Sequence, residues 1–348
     1  MTEHPQTDLQ KRAAPAPDPA VPGPVSADGT WIHTWGNEAP GLPLVISNGL
    51  GAPPAAWPWL AEPDCGFHAV SWYHRGLGGS ARPTDPTRIT VEDYVADLEA
   101  VMDAASMPRA ILLGWSVGVN VAFEFARTHP DRVAGILAVG GVPGGAFRVL
   151  FGPSGLPREL REPAGQIGAW LLRAVGPPVA GLASLLPRAL DATDRLGLGE
   201  HTRDLPGLTT LGEVAREFST HPWTWYSQLV LAAAKHQAMD TSFVTFPVTV
   251  VAGLLDTLAA TDDLRRTARR IPHARFRQLT GTHFLPLQYP EALQAELHAL
   301  ADRTDLTTTA DLLAFTPPDS VHGGLRPQPA TAAAPVTNGT TRPLPQPH

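Results

Sequence analysis

A single cysteine, Cys65, stands in the 348 residues. One thiol excludes an internal disulfide, a CxxC redox pair and a cysteine-ligated zinc ribbon, and it fits a reducing compartment. Basic residues are also scarce: 26 Lys and Arg face 33 Asp and Glu, a formal charge of -7. With no Lys/Arg run to track a phosphate backbone, nucleic acid is not an expected partner. Long apolar runs are missing too. The most apolar stretch, residues 167–186, is interrupted by Arg173 and by Gly176-Pro177-Pro178. It cannot supply an unbroken spanning helix of about 20 residues, and the expectation is a pair of buried helices. Residues 1–12 lack the basic and apolar regions of a secretory signal, so a cytoplasmic location is expected. HExxH, a P-loop and a strand-linked GxGxxG are all absent, so neither a metal nor a nucleotide cofactor is expected.

What is present is enough apolar material, 43% of the residues, for a sizeable core. Residues 1–27 carry six prolines and few large apolar side chains, the composition of a disordered arm. Residues 304–348 form a second Pro/Ala/Thr-rich appendage, in which 305–315 could make a weak amphipathic turn. Between the arms, apolar strand-like runs alternate with Gly/Pro turns and helix-period segments, the pattern of a mainly parallel α/β sheet flanked by helices. Expected strands are 44–47, 69–73, 110–114, 133–139, 248–252 and 275–279. Their short, Val/Leu/Ile-rich character suits burial on both faces. Thr90 and Asp93 form a capping-box-like start for a helix whose Val91, Tyr94, Val95, Leu98, Val101 and Met102 share one face. From 143 to 245 the rhythm lapses into Leu-, Ala-, Trp- and Pro-rich helical segments, which predicts a helical cap inserted into a body made of 28–142 and 246–303.

The chemistry concentrates after the strands. Gly114-Trp115-Ser116-Val117-Gly118 directly follows the strand at 110–114 and opens a helical run. Such a strand-to-helix turn lifts a serine oxygen clear of the sheet, while small neighbours let the backbones pass closely. The Val117 amide, at the positive end of that helix, can face a developing oxyanion. A second amide, that of Leu50, is expected from the glycine-containing loop Asn48-Gly49-Leu50-Gly51. A serine hydroxyl is a poor nucleophile at neutral pH and needs a histidine to take its proton and a carboxylate to orient that histidine. Asp256 and His283 each lie just past the C-terminal end of an expected strand, where open α/β sheets collect functional groups. Trp57, Trp115 and Phe284 flank the loop, the serine and the histidine, and are candidate substrate contacts in an apolar pocket. Trp223, Trp225 and Tyr226 crowd the expected cap.

The order Ser116, Asp256, His283, together with Arg75-Gly76-Leu77-Gly78-Gly79-Ser80 and Gly281-Thr282-His283-Phe284-Leu285-Pro286, resembles the α/β-hydrolase family, specifically its capped serine hydrolases, over residues 29–303. The chain departs from the family pattern at Asn48, often histidine there, and at Tyr73, often aspartate. The resemblance implies hydrolysis of an ester-like bond in a small apolar substrate through an acyl-enzyme. On the same triad it also leaves open carbon–carbon hydrolysis, lactone opening and acyl transfer, and a non-catalytic binding protein of the same fold stands as the alternative of another class. Epoxide hydrolysis and dehalogenation on related scaffolds need an aspartate where Ser116 stands.

Overall fold

The computed structural model describes residues 23–37, 39–151, 156–183, 214 and 218–307. The expectations for 1–22, for 184–213 and for the tail beyond 307 lie outside the described residues. Seven strands form one sheet: β1 (Thr34–Gly36), β2 (Leu42–Ser47), β3 (Phe67–Trp72), β4 (Ala110–Trp115), β5 (Val133–Val139), β6 (Val248–Gly253) and β7 (Arg275–Leu279). Their spatial order is β1-β3-β2-β4-β5-β6-β7, antiparallel at β1 and parallel elsewhere. The six expected strands are all present, shifted at their ends by at most two residues. Three-residue β1 has too short a pattern to stand out in sequence. Strand β7 departs from the doubly buried expectation: its Arg275, Arg277 and Gln278 are exposed, as suits charged positions on a sheet edge.

Strand alternation divides the interior into two cores. Leu112 of β4, Val45 of β2 and Val250 of β6 face one, shared with α1 (Val91–Ala104), α2 (Val117–Thr128) and α5 (Thr261–Arg270). Ile111, Leu113, Ile46 and Val251 face the other, against Trp57, Leu60 and the Leu293-Leu297-Leu300 stripe of α7 (Pro290–Ala301), which follows the short α6 (Leu285–Gln288). With helices on both faces, the central strands β2, β4, β5 and β6 leave no face to water, which explains their continuous apolar runs. The Thr90 capping box forms: Thr90 Oγ1 accepts from the Asp93 amide at 3.3 Å and Asp93 Oδ2 accepts from the Thr90 amide at 2.9 Å.

Two expectations are corrected. The body begins earlier than residue 28: Val25 bridges Trp31, and Ser26 and Asp28 are drawn onto Arg75. Arg75 is fully buried and holds Asp97 at 2.7 Å, Asp28 at 2.5 Å and the Arg88 carbonyl at 2.8 Å. Burial alone would lower the guanidinium, but Asp97 and Asp28 more than offset it and keep it charged. The pair of buried helices expected near 167–186 is instead one helix, α3 (Arg158–Ala183), continuous through Pro177 and Pro178. Its Ile167, Trp170 and Leu171 are exposed, while Ala169 packs with Phe147 and Ala234. Between β5 and β6, α3 is joined by α4 (Trp223–Ala234), whose Trp225, Tyr226 and Leu229 pack on Leu50, Leu77 and Ile89 of the body. Among the described residues no helix is long and apolar enough to cross a membrane.

Removing Asp97 leaves the fully buried Arg75 guanidinium with Asp28, itself partly exposed, as its remaining close carboxylate and with unsatisfied donors on the side Asp97 filled. Asp97→Ala is expected to lower stability by about 3–5 kcal/mol, read as a shift in urea midpoint; an unchanged midpoint would contradict the role assigned to this pair. His74 lies beside it, fully enclosed, its Nε2 without a partner among the described residues. Burial, and secondarily His221, push the imidazole from 6.5 down to about 4. The unfolded chain therefore binds more protons between those values, so stability is lost as pH falls through that window. About 2 kcal/mol of stability should disappear between pH 7 and pH 5 on this account, and urea titrations of His74→Phe should lack that part of the loss.

Candidate active site

The sheet order reverses between β2 and β4: the chain runs from β2 outward to β3, then returns to add β4 on the other side. Loops leaving the C-terminal ends of β2 and β4 diverge there and open a crevice, the usual ligand position in open α/β sheets. The loop after β2 carries Asn48 to Gly51, and the turn after β4 carries Ser116.

Ser116 sits at φ 57°, ψ −121°, a backbone conformation unfavourable for a residue with a side chain. Neighbours hold it there: its amide donates to the Val139 carbonyl at 2.9 Å, and α2 begins at the next residue. Gly118 is required by close approach, since a Cβ there would overlap the Ser47 carbonyl oxygen. The serine oxygen thus stands at the N-terminus of α2, against the loop after β2.

His283 and Asp256 arrive from the other half of the sheet, past β7 and β6. His283 Nε2 lies 2.9 Å from Ser116 Oγ, and Nδ1 lies 2.9 Å from Asp256 Oδ2. Asp256 is fully buried; its Oδ1 accepts the amides of Leu258 and Ala259, both at 2.8 Å. An anion that accepts from Nδ1–H leaves Nε2 with its lone pair toward the serine, so this chain of contacts can take a proton from Ser116. Three residues separated by 140 and 27 positions are brought into one hydrogen-bonded line. Of the expected oxyanion amides, Val117 follows Ser116 at the start of α2 and Leu50 lies in the loop after β2, whose Gly49 packs against Ser116; neither donates to a backbone carbonyl among the described residues.

The three expected substrate contacts fare differently. Trp57 is wholly buried, donates its indole N–H to Asn48 Oδ1 at 2.6 Å and sits edge-on to Trp115, so it lies beneath the site instead of lining it. Trp115 is also buried and donates to the His283 carbonyl at 3.1 Å, which ties the Ser116 turn to the His283 loop. Buried indoles seek a hydrogen-bond acceptor, and both found one in the machinery around the site. Phe284, by contrast, is 47% exposed beside His283. Leu254, Leu255 and Leu258, bracketing Asp256, are exposed as well and were not singled out from the sequence, although the string Gly253-Leu254-Leu255-Asp256-Thr257-Leu258 carried them in plain view. His221, which contacts the loop after β2, gave no sequence signal.

A cavity of about 560 Å³ lies elsewhere, lined among others by Pro143, Arg148, Arg158, Asp263 and Arg270, with no triad member in its wall. Among the described residues no three His, Cys, Asp or Glu side chains are grouped to hold a metal ion.

Comparison with known proteins agrees with this architecture. The model of the alpha/beta hydrolase fold family matches residues 43–288. A putative carbamate hydrolase RutD of Caulobacter segnis is 32% identical over 114 residues, 32% of this chain and 41% of that protein. Epoxide hydrolase A of Mycobacterium tuberculosis is 31% identical over 119 residues, 33% of this chain and 37% of that protein. The chain thus spans about two fifths of the length of these relatives. A thermophilic esterase from Thermogutta terrifontis superposes with a TM-score of 0.59 at 20% identity, covering 80% of this chain and 96% of the other, a likeness of fold. A serine turn, a buried aspartate and a histidine gathered at the C-terminal edge of this sheet, with a family match across most of the body, make the chain a member of the α/β hydrolase fold family.

Proposed function

We propose that this protein is a serine hydrolase that cleaves an ester-like bond in a small apolar substrate. The observation that carries the reading is the unbroken line Ser116 Oγ–His283–Asp256, with 2.9 Å at each junction, beginning at a strained serine. In this reading Ser116 Oγ attacks the substrate carbonyl carbon while His283 Nε2 takes its proton. The carbonyl oxygen becomes an oxyanion facing the Leu50 and Val117 amides. His283 then gives its proton to the departing alkoxide, the C–O bond breaks, and an acyl-Ser116 ester remains. Water, deprotonated by His283, attacks that ester and releases the acid, restoring Ser116. Asp256 orients the imidazole and stabilises its protonated form throughout. Exposed Leu254, Leu255, Leu258 and Phe284 beside the triad favour an apolar acyl or alcohol group.

The carbamate hydrolase relative fits acyl chemistry of this kind. The epoxide hydrolase relative does not carry over readily, because a carboxylate nucleophile would have to occupy the position of Ser116.

Treatment with a fluorophosphonate is expected to label Ser116, located by peptide mapping, and Ser116→Ala is expected to lose both the label and turnover of p-nitrophenyl esters by about three orders of magnitude or more while remaining folded. Folded wild type that takes no label would move the protein to the non-catalytic class. Turnover should also fall on acidification, since a protonated His283 has no lone pair for the serine proton. A kcat/KM profile that stays level from neutral into the acidic range would sink the assignment of His283 as base.

A further inference from the structure

The loop after β2 is anchored at both ends by side chains that the triad does not use. On its upstream side, Asn48 Oδ1 accepts from Trp57 and Asn48 Nδ2 donates to Ser71 Oγ at 3.1 Å. On its downstream side, two consecutive carbonyls are held from α4 and the turn before it. Tyr226 Oη donates to the Leu50 carbonyl at 3.2 Å, and His221 Nε2 lies 2.8 Å from the Gly51 carbonyl. A carbonyl can only accept, so His221 must carry its proton on Nε2. The two rings stack on each other, centroids 5.6 Å apart and 12° from parallel, and both are buried. Burial pushes the Tyr226 phenol up and the His221 imidazole down, so each is a neutral donor near pH 7. Gly51 has φ +74°, and a Cβ on it would overlap His221 Nε2, so this approach admits no other residue.

The amide between these anchors is that of Leu50, and the loop sits directly against Ser116: a Cβ on Gly49 would lie 3.4 Å from the Ser116 Cβ. The Leu50 N–H shares its rigid peptide plane with the Gly49 carbonyl, which accepts from the Ala52 amide at 2.9 Å. Tyr226 and His221 hold the carbonyls of the two following planes, so the turn Gly49–Ala52 is gripped as a unit and its Leu50 N–H with it. An oxyanion donor is effective to the degree that it is already aimed before charge develops.

We infer that His221 and Tyr226 are positioning residues that hold the Leu50 amide aimed at the oxyanion, so that helix α4 and its leading turn complete the catalytic centre of the body. The inference rests on the reading of Ser116 as nucleophile and Leu50 as an oxyanion donor. Neither side chain touches the reacting atoms. Their contribution is felt in the tetrahedral state, where the donor counts, and hardly in substrate binding.

The test combines two readouts on wild type, Tyr226→Phe, His221→Ala and His221→Gln. Deuterium exchange of the peptide containing residues 48–52 reads the anchoring without reference to activity. Rates per fluorophosphonate-titrated Ser116, and competition by phenylboronic acid, which forms a tetrahedral serine adduct, read its catalytic consequence. Tyr226→Phe and His221→Ala are expected to speed loop exchange, lower kcat by about five- to tenfold with KM within about twofold, and weaken phenylboronic acid by a similar factor, the scale of one neutral hydrogen bond each. His221→Gln, which keeps an N–H donor, should recover most of the loss. Unchanged loop exchange overturns the anchoring. Faster exchange with kcat and boronate affinity unchanged overturns the catalytic role. Wild type that neither labels nor turns over an ester removes the hydrolase reading and the positioning role with it, an outcome distinguished by the wild type alone.

Discussion

The contact on which the rest of the site depends is the passage of α2 across the end of β2, where the Gly118 backbone lies against the Ser47 carbonyl. No side chain fits between them, and the closeness forces Ser116 into a conformation that few non-glycine residues adopt. The strain is sustained because the sheet on either side over-determines the turn: β4 pairs with β2 and β5 in register through Gly114 and Trp115, and the Ser116 amide is committed to β5. One tight crossing therefore delivers three things together: a serine side chain lifted off the sheet, a helix N-terminus behind it, and an adjacent loop packed against it.

Around that crossing, buried polar groups act as connectors between distant parts of the chain. Arg75 gathers Asp97 of α1, Asp28 and Ser26 of the leading segment and, through its own carbonyl, the indole of Trp225 in α4. Trp115 links the Ser116 turn to the His283 loop, and Trp57 links Asn48 to the core beneath it. Each connector is a polar group that would be costly to bury alone, and its partner is a segment that apolar packing would leave free to slide.

Much of this was legible in the sequence because the informative signals are local. Apolar runs marked five of the seven strands, and β7 was found although its Arg-Phe-Arg-Gln-Leu is largely polar. The spacing of Gly114, Ser116 and Gly118 marked the turn, and strand-end positions marked Asp256 and His283. The misreadings share a cause. Trp57 and Trp115 were expected in the pocket, since an aromatic near a catalytic motif presents the same letters whether it faces the ligand or the core. The N-terminal segment was assigned to a disordered arm up to residue 27, because the partner that orders Ser26 stands 49 positions away at Arg75. Helix α3 runs through Gly176-Pro177-Pro178, where composition alone called for a break.

Local covalent chemistry was thus sufficient for the strand and helix types, for the strained turn at Ser116 and for the candidate triad, since each depends on residues within a few positions of one another or on a simple order along the chain. What required the folded molecule is the set of contacts between segments far apart in sequence: the 2.9 Å junctions of the triad, the turn of Trp57 and Trp115 away from the site, and the grip of His221 and Tyr226 on a loop some 170 residues earlier. Such contacts are selected by packing of whole elements against one another, and the carbonyl that accepts is a group every residue carries, so the sequence does not name its distant donor even where close approach requires a glycine, as at Gly51.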